Sequence, residues 1–273
     1  MLIVPRSRLT DPDREVRVEA VRALITLVGY GDDEAREMLR EMVTHYRDFD
    51  AEILGWAVTC VGEFGDEELS GPLLAALTDR DHGSEYWAAV ACGRLGIRAA
   101  EPLLIPLLDH PLGWLRGDVC RALGEIGATT AVHTLVACLD DPEEYVRQTA
   151  AEALTELRTA EAVEGLFSAL HARRHRRLHY LAEALARCGP DTHDRLLDAT
   201  ACEDPEIRFW AARALGQARA LGTIEDARVE QVLTLLTDDH ATTPTGAKVS
   251  TAARRALKPP RRRREDSHVP DLS

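Results

Sequence analysis

The segment "DPEEYVRQTAAEALTELR", residues 141–158, carries the clearest helical signal in the chain. Val146, Thr149, Ala150, Ala153, Leu154 and Leu157 fall at i, i+3, i+4, i+7, i+8 and i+11, one unbroken stripe along a helix. Asp141 is expected as its N-cap and Pro142 as its first helical residue, where a missing N–H costs nothing. A stripe of this kind needs a neighbour to bury it.

The neighbours are copies of itself. Moving in steps of 31 residues, Phe64-Gly65, Leu95-Gly96, Ile126-Gly127, Leu157-Arg158 and Cys188-Gly189 occupy one slot. Leu73, Leu104, Leu135, Leu166 and Leu197 occupy another. Cys60, Ala91, Ala122, Ala153 and Ala184 occupy a third, which Ala214 continues after a one-residue contraction. Val61, Cys92, Leu123, Leu154, Leu185 and Leu215 run beside it. The glycines stand where a left-handed C-cap is wanted. Each unit reads as two helices, the second clearest in "AVHTLVACLDD" with Leu135, Val136 and Leu139 inward.

Neither helix buries its stripe alone, so the units must stack into one core. The first pair spans residues 11–47, and the others begin near Asp48, Arg80, Pro111, Pro142, Arg173 and Asp204. A half unit, "AKVSTAARRALK", repeats the first-helix pattern and is expected to cap the C-terminal end. The expectation is an all-α fold over residues 1–257, a right-handed α-solenoid of about seven helix pairs with a C-terminal capping helix. Residues 258–273 have no apolar period and are expected to be a disordered tail.

"DPEEYVRQTAAEALTELR" and "LRGDVCRALGEIG" resemble HEAT repeats of the short PBS-lyase HEAT-like type. The resemblance covers residues 11 to about 257. It implies second helices along a concave face. It also implies a choice among scaffolds, phycobilin lyases, deoxyhypusine hydroxylases and, more distantly, DNA alkyl-base glycosylases. The hydroxylase branch would demand His-Glu dipeptides to hold two irons, and the sequence has none. The glycosylase branch would demand Trp, Asp and Arg around a lesion on a basic face. Trp114, Arg116 and Asp118 imitate that set, but Arg116 shares its repeat position with Arg147 and Arg17 and reads as a structural arginine.

Charge argues the same way. The chain carries a formal net charge of -13, and residues 258–273 hold five of its 33 basic and three of its 46 acidic side chains, so the body is more acidic still. Phosphate neutralisation supplies most non-specific nucleic-acid affinity, so general DNA or RNA binding is disfavoured. No run approaches a membrane span, and "MLIVPRSRLTDPD" is too short in apolar residues for a signal-peptide core. Six cysteines, Cys60, Cys92, Cys120, Cys138, Cys188 and Cys202, form no C-x-x-C pair, which fits reduced thiols in the cytoplasm. No cofactor is expected.

Two features remain as candidate partner sites. Trp56, Trp87, Tyr180 and Trp210 share one repeat position, either as a row of interaction anchors or as buried fillers between units. The second is "HARRHRRLHYL", residues 171–181, where Arg173, Arg174, Arg176 and Arg177 replace the acids that Asp140, Asp141, Glu143 and Glu144 place one unit earlier. His171, His175 and His179 are four apart, yet they straddle a turn with no carboxylate or thiolate between them, so no metal site is expected. The arginines either dock an acidic segment or compensate the acidic turns on both sides. The function expected is a non-enzymatic protein-binding scaffold or adaptor whose partner is another protein or an acidic peptide segment. The alternative is a solenoid enzyme or enzyme subunit, phycobilin-lyase-like or glycosylase-like.

Overall fold

The computed structural model describes residues 4–61, 67–80, 82–172 and 178–258. The basic turn Arg173, Arg174, Arg176 and Arg177, the Phe64-Gly65 pair and the tail beyond Lys258 lie outside them. The chain divides into two compact units, Met1–His175 and Arg176–Ser273.

The first unit holds α1 (Arg14–Gly29), α2 (Asp33–Thr44), α3 (Ala51–Val61), α4 (Ser70–Thr78), α5 (Glu85–Arg94), α6 (Glu101–Leu104), α7 (Gly113–Ile126), α8 (Val132–Cys138), α9 (Glu144–Leu157) and α10 (Ala160–Ala172). The second holds α11 (His179–Arg187), α12 (His193–Ala199), α13 (Pro205–Leu221), α14 (Ala227–Leu235) and α15 (Val249–Ala256). Among the described residues these are seven helix pairs followed by the capping helix α15, with no strand and one isolated bridge between Thr242 and Lys248. The fold is an all-α solenoid. No described helix is long and apolar enough to cross a membrane.

Odd-numbered helices pack on odd, even on even. In the first row the contact is backbone to backbone. A Cβ on Gly93 would stand 2.7 Å from the Cα of Ala122, and one on Gly124 would stand 2.8 Å from the Cα of Ala153. The even row meets through longer side chains, with Val136 filling the space above Gly165. Small residues therefore draw the first helices together, and they share far more contact than the second helices do. Gly124→Ala should cost about 1–3 kcal/mol by overpacking, outweighing the gain of about 1 kcal/mol in helix propensity. A rise in the urea midpoint of this variant would contradict the close approach.

Local signals explain most element ends. Asp204 caps α13, accepting the Glu206 N–H at 2.9 Å, with Pro205 at the first helical position. Asp141 does not cap α9. That helix starts at Glu144, and Asp141 instead accepts the Glu143 N–H at 2.8 Å within the preceding turn. Both its oxygens also accept from Arg116. Gly127 closes α7 in the left-handed conformation at φ 75°, and Arg158 is forced into the same conformation at φ 51° in the equivalent slot of α9. Pro106 cannot donate to the carbonyl of Pro102, so α6 stops after Leu104 and a 3-10 turn, Ile105–Asp109, finishes the second helix of that pair.

Candidate binding surface

Arg116 and its repeat equivalents stitch the turns together. Arg17 gives Nη1 to the carbonyls of Asp11 (2.6 Å) and Pro12 (3.1 Å), and Nε to Asp50 (2.7 Å) in the next unit. Arg116 gives Nη1 to His110 O (2.7 Å) and Pro111 O (3.2 Å), and Nε and Nη2 to the two oxygens of Asp141, both at 2.8 Å. In the second unit Arg208 gives Nη1 to Cys202 O and Glu203 O and Nε to Asp239, each at 2.7 Å. Each arginine thus closes its own turn and ties it to an acid further along the chain. Trp114, Arg116 and Asp118 therefore do not converge. Arg116 is committed to Asp141, about 200° round the helix from Trp114.

What the first-helix row leaves outside is aromatic. Trp114 at the start of α7 is 49% exposed and Tyr86 on α5 is 39% exposed. Their rings meet edge to face at 4.8 Å and 84°. One unit on from Trp114, Tyr145 lies over Gly117, where a Cβ would stand 2.3 Å from its ring. The Tyr145 hydroxyl donates to Asp118 (2.6 Å) and accepts from Arg121 (2.8 Å), while Arg121 also donates to Asp118 (3.0 Å). Burial first, and then the Asp118 carboxylate, push the Tyr145 phenol up to about 12, so it stays a protonated donor at neutral pH. Glu125 on the same row is raised by burial and by Glu156, against the opposing pull of Arg121 and Arg94.

The column expected from the sequence splits. Trp87 is 1% exposed and packs against Tyr46 at 5.9 Å; Tyr180 is 4% exposed in α11. Neither presents a ring to a partner, because their shared position lies on the buried stripe of the helix. Trp56 is 39% exposed with the Arg22 guanidinium 4.8 Å from its ring, and Trp210 is half-buried beside Arg213 at 5.4 Å. The exposed cluster was nonetheless written in the repeat: Trp114 and Tyr145 are 31 apart, four residues before the column of Trp87 and Asp118, at the starts of α7 and α9.

Four of the thiols are sheltered. Cys92, Cys120, Cys138 and Cys188 are buried and unbridged, and burial pushes Cys92 up to about 12, leaving it a thiol rather than a nucleophilic thiolate. Among the described residues no three His, Cys, Asp or Glu side chains are grouped to hold a metal.

A stack of paired helices joined by an arginine-to-aspartate ladder defines a repeat protein. The HEAT-repeat profile matches residues 4–84 and 100–186, and that of the PBS lyase HEAT-like repeat matches 85–110. The chain belongs to the HEAT-repeat family. No curated protein matches it in sequence. Among solved structures, an engineered protein is similar at TM-score 0.48 and 22% identity, over 92% of this chain and 76% of its own. The complex of CpcE and CpcF of phycocyanin lyase from Nostoc sp. PCC7120 is similar at TM-score 0.47 and 20% identity, over 84% of this chain and 91% of its own. Human deoxyhypusine hydroxylase in complex with glycerol is similar at TM-score 0.35 and 20% identity, over 92% of each chain.

Proposed function

We propose that this protein is a non-enzymatic scaffold or adaptor that binds another protein along the first-helix face of its Met1–His175 unit. The observation that carries this reading is the exposed Tyr86–Trp114 pair with Tyr145 beside it. Tyrosine, tryptophan and arginine dominate the few residues that supply most interface energy. Here they stand on rigid helices, with Tyr145 and Arg121 already locked by Asp118, so little side-chain freedom is lost on docking. Trp56, 39% exposed on α3, is proposed as a further contact. The turn Arg173, Arg174, Arg176 and Arg177 is proposed as a second contact, for an acidic segment of the partner.

Affinity capture with the native chain and with Tyr86→Ala/Trp114→Ala tests the reading. A hot spot is worth about 2 kcal/mol or more, so the double variant should bind its partner roughly 30-fold more weakly or worse, at unchanged helicity. Two outcomes sink the proposal. In one, the captured partner is retained equally by both proteins. In the other, the purified chain takes up a tetrapyrrole or acts on alkylated DNA, which would favour the lyase-like or glycosylase-like alternative.

A further inference from the structure

Arg147 breaks the ladder. It adopts the posture of its equivalents, with Nη1 donating to Asp141 O at 2.7 Å and Pro142 O at 2.9 Å. It is only 8% exposed, as deeply set as any of them. Yet its Nε is buried with no hydrogen-bond partner. Arg17, Arg116 and Arg208 each give that same Nε–H to an aspartate further along the chain. The Asp141 carboxylate does not serve Arg147, because Arg116 holds both of its oxygens.

The sequence shows why the rung is missing. In the 31-residue register Ala172 stands where Asp141 stands one unit earlier, and the five residues after it contain four arginines and no acid. A buried guanidinium without its carboxylate is costly, and hydrogen bonds between ionised partners are among the strongest a side chain makes. The three completed rungs are internal controls. They show that this posture takes an oxyanion, and the Arg116–Asp141 pair shows that a filled rung is enclosed, with side chains 11% and 10% exposed.

We propose that Arg147 is the recognition group of an anion site on the Met1–His175 unit. The site takes one oxyanion from outside the chain, a carboxylate or a phosphate, at the position that Asp141 fills for Arg116. The site is separate from the Tyr86–Trp114 face, so either reading survives the failure of the other.

The full-length chain is titrated with inorganic phosphate and, separately, with a blocked tetraglutamate peptide, each against chloride at matched ionic strength. The Nε–H resonance of Arg147, identified by its disappearance in Arg147→Lys, should shift saturably with at least one probe. Which probe acts separates a phosphate ligand from an acidic peptide. Ala172→Asp, at an exposed helix end, should supply the missing rung from within. It should weaken the effective probe at least tenfold and raise the melting temperature in chloride. Ala172→Asn, of the same shape without the charge, should bind as the wild type does. The proposal is overturned if neither probe moves the Arg147 resonance, or if Ala172→Asp binds the probe as tightly as the wild type.

Discussion

Arg116→Ala should lower stability by about 3–5 kcal/mol, the cost of leaving one half of a buried ion pair behind. Arg116 and Asp141 are 11% and 10% exposed, bonded through both guanidinium edges. The same side chain closes the turn through the carbonyls of His110 and Pro111, which would lose their donor. Each unit of a solenoid contacts only its neighbours, so the loss should be local. Hydrogen exchange should accelerate in α7, α8 and α9 while α13 and α15 keep their protection. Asp141→Asn should cost less, because an amide oxygen still accepts the Glu143 N–H. Uniform loss of protection along the chain would show that the pair is not a local tie.

The same ladder sets an acid limit. Burial alone would raise Asp141, but Arg116 and the Glu143 N–H outweigh it and hold the carboxyl below its ordinary 3.8; Arg208 does the same for Asp239, against a smaller burial effect. Both groups bind protons less readily folded than unfolded. Their contribution is therefore complete above the ordinary value of 3.8 and is lost as pH falls through the lower folded values. The difference in stability between wild type and Arg116→Ala should accordingly shrink on acidification below that point.

Periodicity exposed the helix pairs because a column of alanine or leucine repeated every 31 residues records burial directly. Asp204 and Pro205 mark the start of α13, with Asp204 accepting the Glu206 N–H. Asp141-Pro142 carries the same two letters, yet α9 starts later, at Glu144, and Arg116 also binds that aspartate from a residue 25 positions away. Local pattern cannot register that long-range pairing. The binding surface was obscured for a related reason. Trp114 and Tyr145 share a repeat position at the start of the helix, one turn before the column of large rings, and their exposure depends on where each helix begins. The column of large rings therefore points to Trp87, which is 1% exposed, and passes over Trp114, which is 49% exposed. The gap at Arg147 is legible only when three filled rungs stand beside it.

Trp87→Ala should cost about 3–5 kcal/mol, the range for deleting a large ring from a packed core. Trp87 is 1% exposed, flanked by Ala88, Ala89 and Ala91, none of which can expand into the space it leaves. The loss would also strip Tyr46 of its ring neighbour at 5.9 Å, although that phenol stays tied to Asp79 at 2.8 Å. Trp87→Phe tests the reason for the cost. The indole Nε1 is buried without a partner, and an unsatisfied buried donor costs about 1–3 kcal/mol. Phenylalanine removes that donor while giving up part of the ring volume, so the two effects oppose and the net change should be under about 1.5 kcal/mol. Urea denaturation of both variants checks the pair of values. Equal losses for alanine and phenylalanine would mean that the indole N–H is satisfied in solution and that Trp87 contributes through that bond rather than through its volume.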